Sequence, residues 1–223
     1  MSGWWVHDVY NNAGPVILLS WIFWVLLSII LHELAHGWAA ILEGDQTPRQ
    51  LQRMTMNPVV HMGWWSLGVF ALAGIAWGAM PVDPSRFRHG RFGRILVALA
   101  GPAMNLAIAL VVLTVAGLIR RFGPESEIIQ GNLVTFLVTG GWLNLLLCML
   151  NLLPVPPLDG SNVMAGLFGW YRNLMRNPNV QMGGMLILIV VVFSGFGAVL
   201  FGTAQLIGVS YVNLVAGPPA AMP

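Results

Sequence analysis

The stretch SIILHELAHGWAA, residues 28–40, places two histidines and a glutamate inside a long apolar run. Ionisable side chains are costly within a membrane helix, and those that occur there usually serve a function. Residues four apart share one face of a helix, so His32 and His36 can present both imidazoles to one metal ion. Glu33 follows about 100° around the helix, close enough to take a proton from a water on that ion. The motif predicts a zinc site for peptide hydrolysis, and its alternative is two histidines that only hydrogen-bond between packed helices.

The composition is that of a protein surrounded by lipid. Hydrophobic residues make up 57% of the 223 and charged residues 8%, with a mean hydropathy of +0.76, so we expect an integral membrane protein. The ten basic residues are all arginine and face eight acids, which predicts no basic surface for nucleic acid. The single cysteine, Cys148, excludes a disulfide framework and a cysteine metal cluster. Residues 1–12 carry no positive region typical of a cleavable signal, so we expect the first helix to anchor the chain.

Long apolar runs define the expected fold, because a helix needs about 20 residues to cross the hydrocarbon core. These runs cover residues 15–42, 63–80, 95–119, 133–153 and 182–215. They predict one all-α polytopic membrane domain over residues 1–223, a helical bundle of about four to six membrane segments. The run 63–80 is short and holds four glycines, which favours a re-entrant or short β element. The last run is too long for one span, and we expect a crossing plus a returning piece.

The arginines favour the re-entrant topology, since cytoplasmic loops collect positive charge near the ends of spans. If 63–80 turns back, eight arginines lie on one side of the membrane and only Arg120 and Arg121 on the other. This arrangement predicts a multi-pass protein of the cell membrane whose N-terminus is outside. The loops 43–94 and 154–180 then face the cytoplasm, and so does the active site.

A catalytic zinc site needs a third protein ligand besides the two histidines. The acids outside the motif are Asp8, Glu43, Asp45, Asp83, Glu125, Glu127 and Asp159, and the other histidines are His7, His61 and His89. Asp159 is favoured because it follows an apolar helix that must break at three prolines, and a broken helix at membrane depth lines a cavity or is buried in protein. The re-entrant topology also puts Asp159 on the same membrane side as His32 and His36.

Three motifs, taken in order, resemble those of the site-2 protease family, the intramembrane zinc metalloproteases: HELAH at 32–36, AGPAMN at 100–105 and NLLPVPPLDG at 151–160. RMTMNPVVHM at 53–62 and MPVDPSRFR at 80–88 further resemble its compact bacterial members without a PDZ or CBS domain. The chain departs from these members after His61, where Met62-Gly63-Trp64-Trp65 stands in place of an acidic residue. The role of that loop is therefore left open.

The resemblance implies one Zn²⁺ per chain, bound by His32, His36 and Asp159, with Glu33 as catalytic base. It also implies that Asn151 positions the substrate or polarises its carbonyl. The residues alone allow another interpretation, a hydrogen bond from Asn151 to Asn144 about two turns earlier.

The family also implies the substrate and its mode of binding. The expected reaction is regulated intramembrane proteolysis, in which a peptide bond is cut in or near the transmembrane segment of a single-span membrane protein such as an anti-sigma factor. In this family, an extended element between the helix with the HELAH motif and the helix with the AGPAMN motif pairs with an unwound substrate strand. Here RMTMNPVVHM and WGAMPVDP, residues 77–84, are the segments that can supply it.

Two other functions remain open at the level of sequence. One is another class of membrane metalloprotease with a glutamate as third ligand, and the other is a non-proteolytic metal or proton transporter. Two residues near the motifs also have two interpretations each. His61 is either a gate or an auxiliary ligand, or a plain boundary histidine, and Asn105 either orients a metal ligand or packs between helices.

Overall fold

The apolar runs of the sequence fold into helices, and a computed structural model describes residues 4–218 without any β-strand in that range. A 3₁₀ turn at Pro84–Arg86 and a π-helical segment at Glu127–Leu133 lead into the helices that follow them. The α-helices are α1 Trp5–Leu42, α2 Thr47–Gln50, α3 Pro58–Ala73, α4 Arg91–Phe122, α5 Val134–Asn151, α6 Asp159–Leu167, α7 Gly169–Leu174, α8 Pro178–Phe193 and α9 Gly195–Ala216.

Four helical segments are long and apolar enough to cross a membrane: Trp5–Leu42, Arg91–Phe122, Glu127–Asn151 and Gly195–Ala216. The last apolar run is two helices, because the chain breaks at Ser194, whose hydroxyl accepts a hydrogen bond from the backbone N–H of Phe196 and so caps α9. The predicted all-α polytopic fold with about four to six membrane segments is confirmed.

Helix α4 is the centre of the bundle and packs against α1, α5, α6 and α9. One buried cluster joins Trp24 and Ile29 of α1 to Val112 of α4 and Leu143 of α5. A second, built around Leu113, joins α4 to α5 and α9. Side chains on the α1 and α5 faces of α4 are therefore held in close packing, and this packing fixes the positions of the polar residues among them.

The short run predicted to be re-entrant is helix α3 and the extended chain after it. Asn57 caps the helix by accepting a hydrogen bond from Val59 N (2.9 Å), and Pro58 is its first residue. Gly74, in the left-handed region with φ of 73°, ends it. The sequence therefore encodes both the start and the stop of a helix too short to span.

Beyond Gly74 the chain runs back beside α3. Trp77 N donates to Ser66 Oγ (2.9 Å) and Ala79 N donates to His61 O (3.0 Å), so the returning segment is antiparallel to α3. Met54, before α3, and Met80, after it, both contact α1 at Gly37, where an added Cβ would lie 2.6 Å from Met54 Sδ and 3.0 Å from Met80 Cε. Both ends of the segment lie at the same level of α1, as a re-entrant element requires.

The break between α5 and α6 brings the start of α6 back towards α4. A Cβ at Gly160 would overlap the carbonyl oxygens of Leu152 and Leu153, so only glycine allows the chain to double back this tightly. Within the break, Pro154 O accepts a hydrogen bond from Tyr171 Oη (2.9 Å), which anchors the loop of residues 152–158 to α7. Asp159 is thereby held as the first residue of α6, with its carboxylate beside His32 and His36 of α1.

A buried carboxylate organises the loop that leaves α1. Asp45 accepts hydrogen bonds from Thr47 N (2.9 Å), Thr47 Oγ1 (2.5 Å) and Asp83 N (2.6 Å), and so joins the two ends of the re-entrant segment. Burial alone would raise the pKa of this carboxyl, but the three hydrogen bonds outweigh burial and lower the pKa below its usual value. The loop is therefore held by an ionised Asp45.

We predict that Asp45→Ala lowers the free energy of unfolding by about 2 kcal/mol, because hydrogen bonds to a charged acceptor are lost. Thermal unfolding of the purified protein in detergent measures this loss. Asp83→Ala is the control, because it keeps the backbone N–H of residue 83 and removes only exposed side-chain bonds to Ser85 and Arg86, which contribute less. Because the pKa of Asp45 is lower in the folded state, its stabilisation is complete above the unfolded-state pKa of about 3.9 and is lost as pH falls through the folded-state pKa. Equal loss in both variants would contradict the prediction.

Candidate metal centre

Helix α1 presents the two histidines of the HELAH motif side by side. His32 and His36 are both buried, and their Nε2 atoms lie 3.0 Å apart. This proximity follows from the helical spacing of four residues, which puts the rings on one face. The rest of the site comes from elements far along the chain.

Asp159, the first residue of α6, completes a three-residue cluster with these histidines. Its Oδ2 lies 3.0 Å from His32 Nε2, and its Oδ1 lies 3.2 Å from His36 Nε2. One ligand atom from each of the three residues lies within 4.8 Å of the others, and within residues 4–218 no other group of three or more histidines, cysteines and acids is close enough to hold a metal. The structure thus brings together the three residues proposed from the sequence as ligands.

Backbone and amide oxygens determine which ring nitrogens carry protons. His32 Nδ1 lies 2.6 Å from Asn105 Oδ1, and His36 Nδ1 lies 2.7 Å from Val97 O. A carbonyl oxygen only accepts, so both Nδ1 atoms donate, and in the neutral rings both Nε2 atoms carry a lone pair. The lone pairs point towards Asp159.

The orientation of Asn105 follows from a chain of hydrogen bonds that ends on a backbone group. Asn144 Nδ2 donates to Gly140 O (2.8 Å), which can only accept, so Asn144 Oδ1 is turned towards α4. This oxygen accepts from Asn105 Nδ2 (2.9 Å), which leaves Asn105 Oδ1 facing His32. A carbonyl of α5 therefore sets the tautomer of His32 through two asparagines that are both fully buried.

The three converging groups are all acceptors and need a cation between them. Asp159 Oδ2 is buried and accepts no hydrogen bond, although His32 Nε2 lies next to it. Two imidazoles and a carboxylate are a donor set that zinc prefers, and tetrahedral zinc holds its ligand atoms about 3.3 Å apart. The two Nε2 atoms lie 3.0 Å apart, close to that value, and each also lies within 3.2 Å of one of the two oxygens of Asp159, so the residues fit the ion.

Gly101 lets helix α4 approach the histidines. A Cβ at this position would lie 2.5 Å from His32 Nε2 and would also overlap His36 Nε2. The AGPAMN motif thus combines a residue without a side chain with Asn105, one turn later on the same face. Any larger residue at position 101 would occupy the space where the ligand atoms meet.

A cavity of about 310 Å³ lies beside the cluster, and Glu33 and Asn151 line it. Glu33 is buried but is not a member of the three-residue cluster. The backbone of Gly78 lies against it, since a Cβ there would lie 2.7 Å from Glu33 Oε1. Glu33, the predicted base, therefore lies against the cavity wall that the chain after α3 forms at Gly78.

Asn151 does not bond to Asn144, so the alternative of a hydrogen bond between these two residues is wrong. Its Nδ2 donates to Leu147 O (3.0 Å) within its own helix, while Asn144 is engaged with Asn105 and Gly140. The two asparagines are seven residues apart, but their side chains serve different neighbours.

The remaining candidate ligands lie away from the cluster. His61 Nε2 contacts Thr55 O at 2.6 Å. His89 Nδ1 lies 3.0 Å from Glu43 Oε1. The contacts of Asn144 with Asn105 and of Val97 with His36 could not be predicted from the sequence, because nothing in a motif shows which partner a buried polar group will meet.

Comparisons with known proteins agree with this geometry. The profile of peptidase family M50 matches residues 20–195. The chain belongs to peptidase family M50. The resemblance to the site-2 proteases is thereby confirmed, and the protein is a multi-pass membrane metalloprotease that uses zinc.

Several relatives of this M50 peptidase bear the names of zinc metalloproteases. YwhC of Bacillus subtilis is 33% identical over 156 residues, which are 69% of this chain and 71% of YwhC. Rip2 of Mycolicibacterium smegmatis is 28% identical over 188 residues, 82% of this chain and 69% of Rip2. MJ0392 of Methanocaldococcus jannaschii is 24% identical over 188 residues, 81% of this chain and 46% of MJ0392. No solved structure matches the chain significantly.

We predict that Asn105→Leu weakens zinc binding by about 10- to 100-fold, because His32 loses the acceptor that fixes its tautomer. Competition with a chelator, followed by metal analysis, measures the affinity. Thr114→Val is the matched control. Thr114 is on the same helix α4 but away from the cluster, and the variant removes its 3.0 Å contact with Tyr211 of α9. If both variants hold zinc as tightly as the unmodified chain, Asn105 does not position the ligand.

Proposed function

We propose that this M50 peptidase hydrolyses a peptide bond in or near the transmembrane segment of a membrane-protein substrate, with His32, His36 and Asp159 as the zinc ligands. The observation that carries the proposal is the convergence of the two imidazoles of apolar helix α1 with the carboxylate of α6. Residues 1–223 are proposed to act as a single metalloprotease domain, and the family match over residues 20–195 supports this.

The proposed mechanism assigns a proton-carrying role to Glu33. Bound zinc acidifies water and polarises a carbonyl. Glu33 lines the same cavity as the three ligands, and its carboxylate takes a proton from the attacking water and returns it to the leaving amine. Asn151 lines this cavity as well and has an amide that can orient the substrate carbonyl.

The returning segment offers an edge for an extended substrate. Trp77 N and Ala79 N are bonded towards α3, whereas the N–H groups of Gly78, Met80 and Val82 have no hydrogen-bond acceptor among residues 4–218. Successive N–H groups of an extended chain point to opposite edges, and residues 78, 80 and 82 all line the catalytic cavity. We propose that an unwound substrate strand pairs with this edge, which exposes the scissile bond that a helix would hide.

The orientation in the membrane is proposed from the arginines. Arg94, Arg172 and Arg176 line one cavity, and Arg120 is about 39 Å away along α4, at 1.5 Å per residue. With the larger group of arginines in the cytoplasm, the N-terminus is outside and the site lies toward the cytoplasmic face. The proposed substrate is a single-span membrane protein, of which an anti-sigma factor is one example.

We predict that Glu33→Gln retains zinc but cleaves a reconstituted single-span substrate about 100- to 10,000-fold more slowly, because the general base is lost. Asp159→Asn is the companion variant and loses both zinc and cleavage. Metal analysis and a gel-based cleavage assay give the two measurements, and mass spectrometry of substrates trapped by Glu33→Gln identifies the natural ones. Full zinc content in Asp159→Asn would point to a glutamate as third ligand, and metal flux in proteoliposomes without cleavage would point to a transporter.

We predict that Met80→Pro raises the KM for the substrate by about tenfold, because proline removes one edge N–H and so one hydrogen bond to the strand. Met80→Ala is the matched control, since it removes the side chain and keeps the N–H. Cleavage kinetics of both variants separate the two effects. The strand-pairing proposal fails if Met80→Pro and Met80→Ala have the same KM.

A further inference from the structure

A second cavity, of about 340 Å³, lies next to the catalytic one and is lined by three arginines. Arg94 comes from the first turn of α4, Arg172 from α7, and Arg176 from the turn between α7 and α8. Arg94, Pro157 and Asn162 line both cavities, so the two share a wall. The second cavity has no part in the proposed mechanism.

The three guanidinium groups have no counterion in the part of the chain from residue 4 to residue 218. None of them lies within 4.0 Å of a carboxylate, and none donates a hydrogen bond to a described acceptor. Elsewhere, Arg86 pairs with Asp83, and Arg120 donates to Asn213. No acid lines the cavity, and Asp159, on the catalytic side of the shared wall, is directed at the histidines. Three like charges around one space favour an anion within it.

The surroundings of the cavity are apolar and open. Helix α8 begins at Pro178, and Gln181 from its first turn lines the cavity. Beyond that turn, α8 exposes large apolar side chains, namely Met182, Met185, Leu186, Ile189, Val190 and Phe193. A positive cavity at the end of such a surface suits a molecule with an anionic head and hydrocarbon tails.

We propose that this cavity binds the phosphodiester headgroup of an anionic phospholipid, with its acyl chains along α8. The arginines supply the positive charge, and Ser161, Asn162 and Gln181 supply polar groups around the same space. Pro156 and Met175 add apolar surface to the same lining. The bound lipid contacts α6, the helix that begins with Asp159, and joins it to α4 and α8.

The test uses the full chain, purified in detergent and titrated with phosphatidylglycerol or phosphatidylcholine, with bound lipid counted by native mass spectrometry. The Arg172→Gln/Arg176→Gln variant is expected to bind phosphatidylglycerol about 25-fold more weakly, at about fivefold for each arginine. Arg120→Gln/Arg121→Gln is the matched control, because it removes two arginines from the other end of α4 and keeps full binding.

Several outcomes overturn the proposal. Unchanged binding in the Arg172/Arg176 variant, equal loss in the control, or equal affinity for phosphatidylcholine each exclude a specific anionic-lipid site. Displacement of phosphatidylglycerol by millimolar inorganic phosphate would make it a site for the free anion. Weaker substrate cleavage with unchanged lipid binding would assign the arginines to the substrate. If the double variant does not fold, Arg176→Gln alone, at an exposed position, is expected to show about a fivefold loss.

Discussion

Everything at this site depends on holding three hydrogen-bond acceptors against one another inside a membrane protein. His32 Nε2, His36 Nε2 and an oxygen of Asp159 would repel or separate unless a cation lies between them. The histidines are held because each has its other ring nitrogen bonded to a fixed oxygen. Asp159 is held because the chain doubles back at Gly160, where no side chain fits. The proposed zinc site is thus shaped by packing that involves no metal.

The same physical rule explains the extended segment beside the site. Backbone N–H and C=O groups without partners are not tolerated where they face lipid, but they are tolerated where they line a cavity. Residues 77–82 meet this condition, since one edge is bonded to α3 and the other lines the cavity of the proposed zinc site. A full crossing by this segment would place those groups in hydrocarbon. The short apolar run therefore folds as a helix that enters and a strand-like piece that returns.

Much of this could be predicted from the sequence, because the determining signals are local. Helical spacing places His32, Glu33 and His36 close together. The prolines after Asn151 break the helix before Asp159. The glycines of 63–80 indicate a segment that does not span the membrane. Other features depend on neighbours that spacing cannot reveal. The pairing of His89 with Glu43 joins residues 46 apart, and the bond between Asn105 and Asn144 joins two helices whose relative rotation is set only by packing.

The Asn105–Asn144 hydrogen bond affects both the packing of α4 and the orientation of His32. An asparagine buried between apolar helices must find partners, and Asn105 has one on α1 and one on α5. These two bonds are formed together at only one rotation of α4, which is also the rotation that turns Gly101 towards the histidines. A small rotation would both leave the amide unpaired and move the ligand atoms apart. The cost of an unpaired buried polar group therefore selects the arrangement of helices that brings the three proposed ligands together.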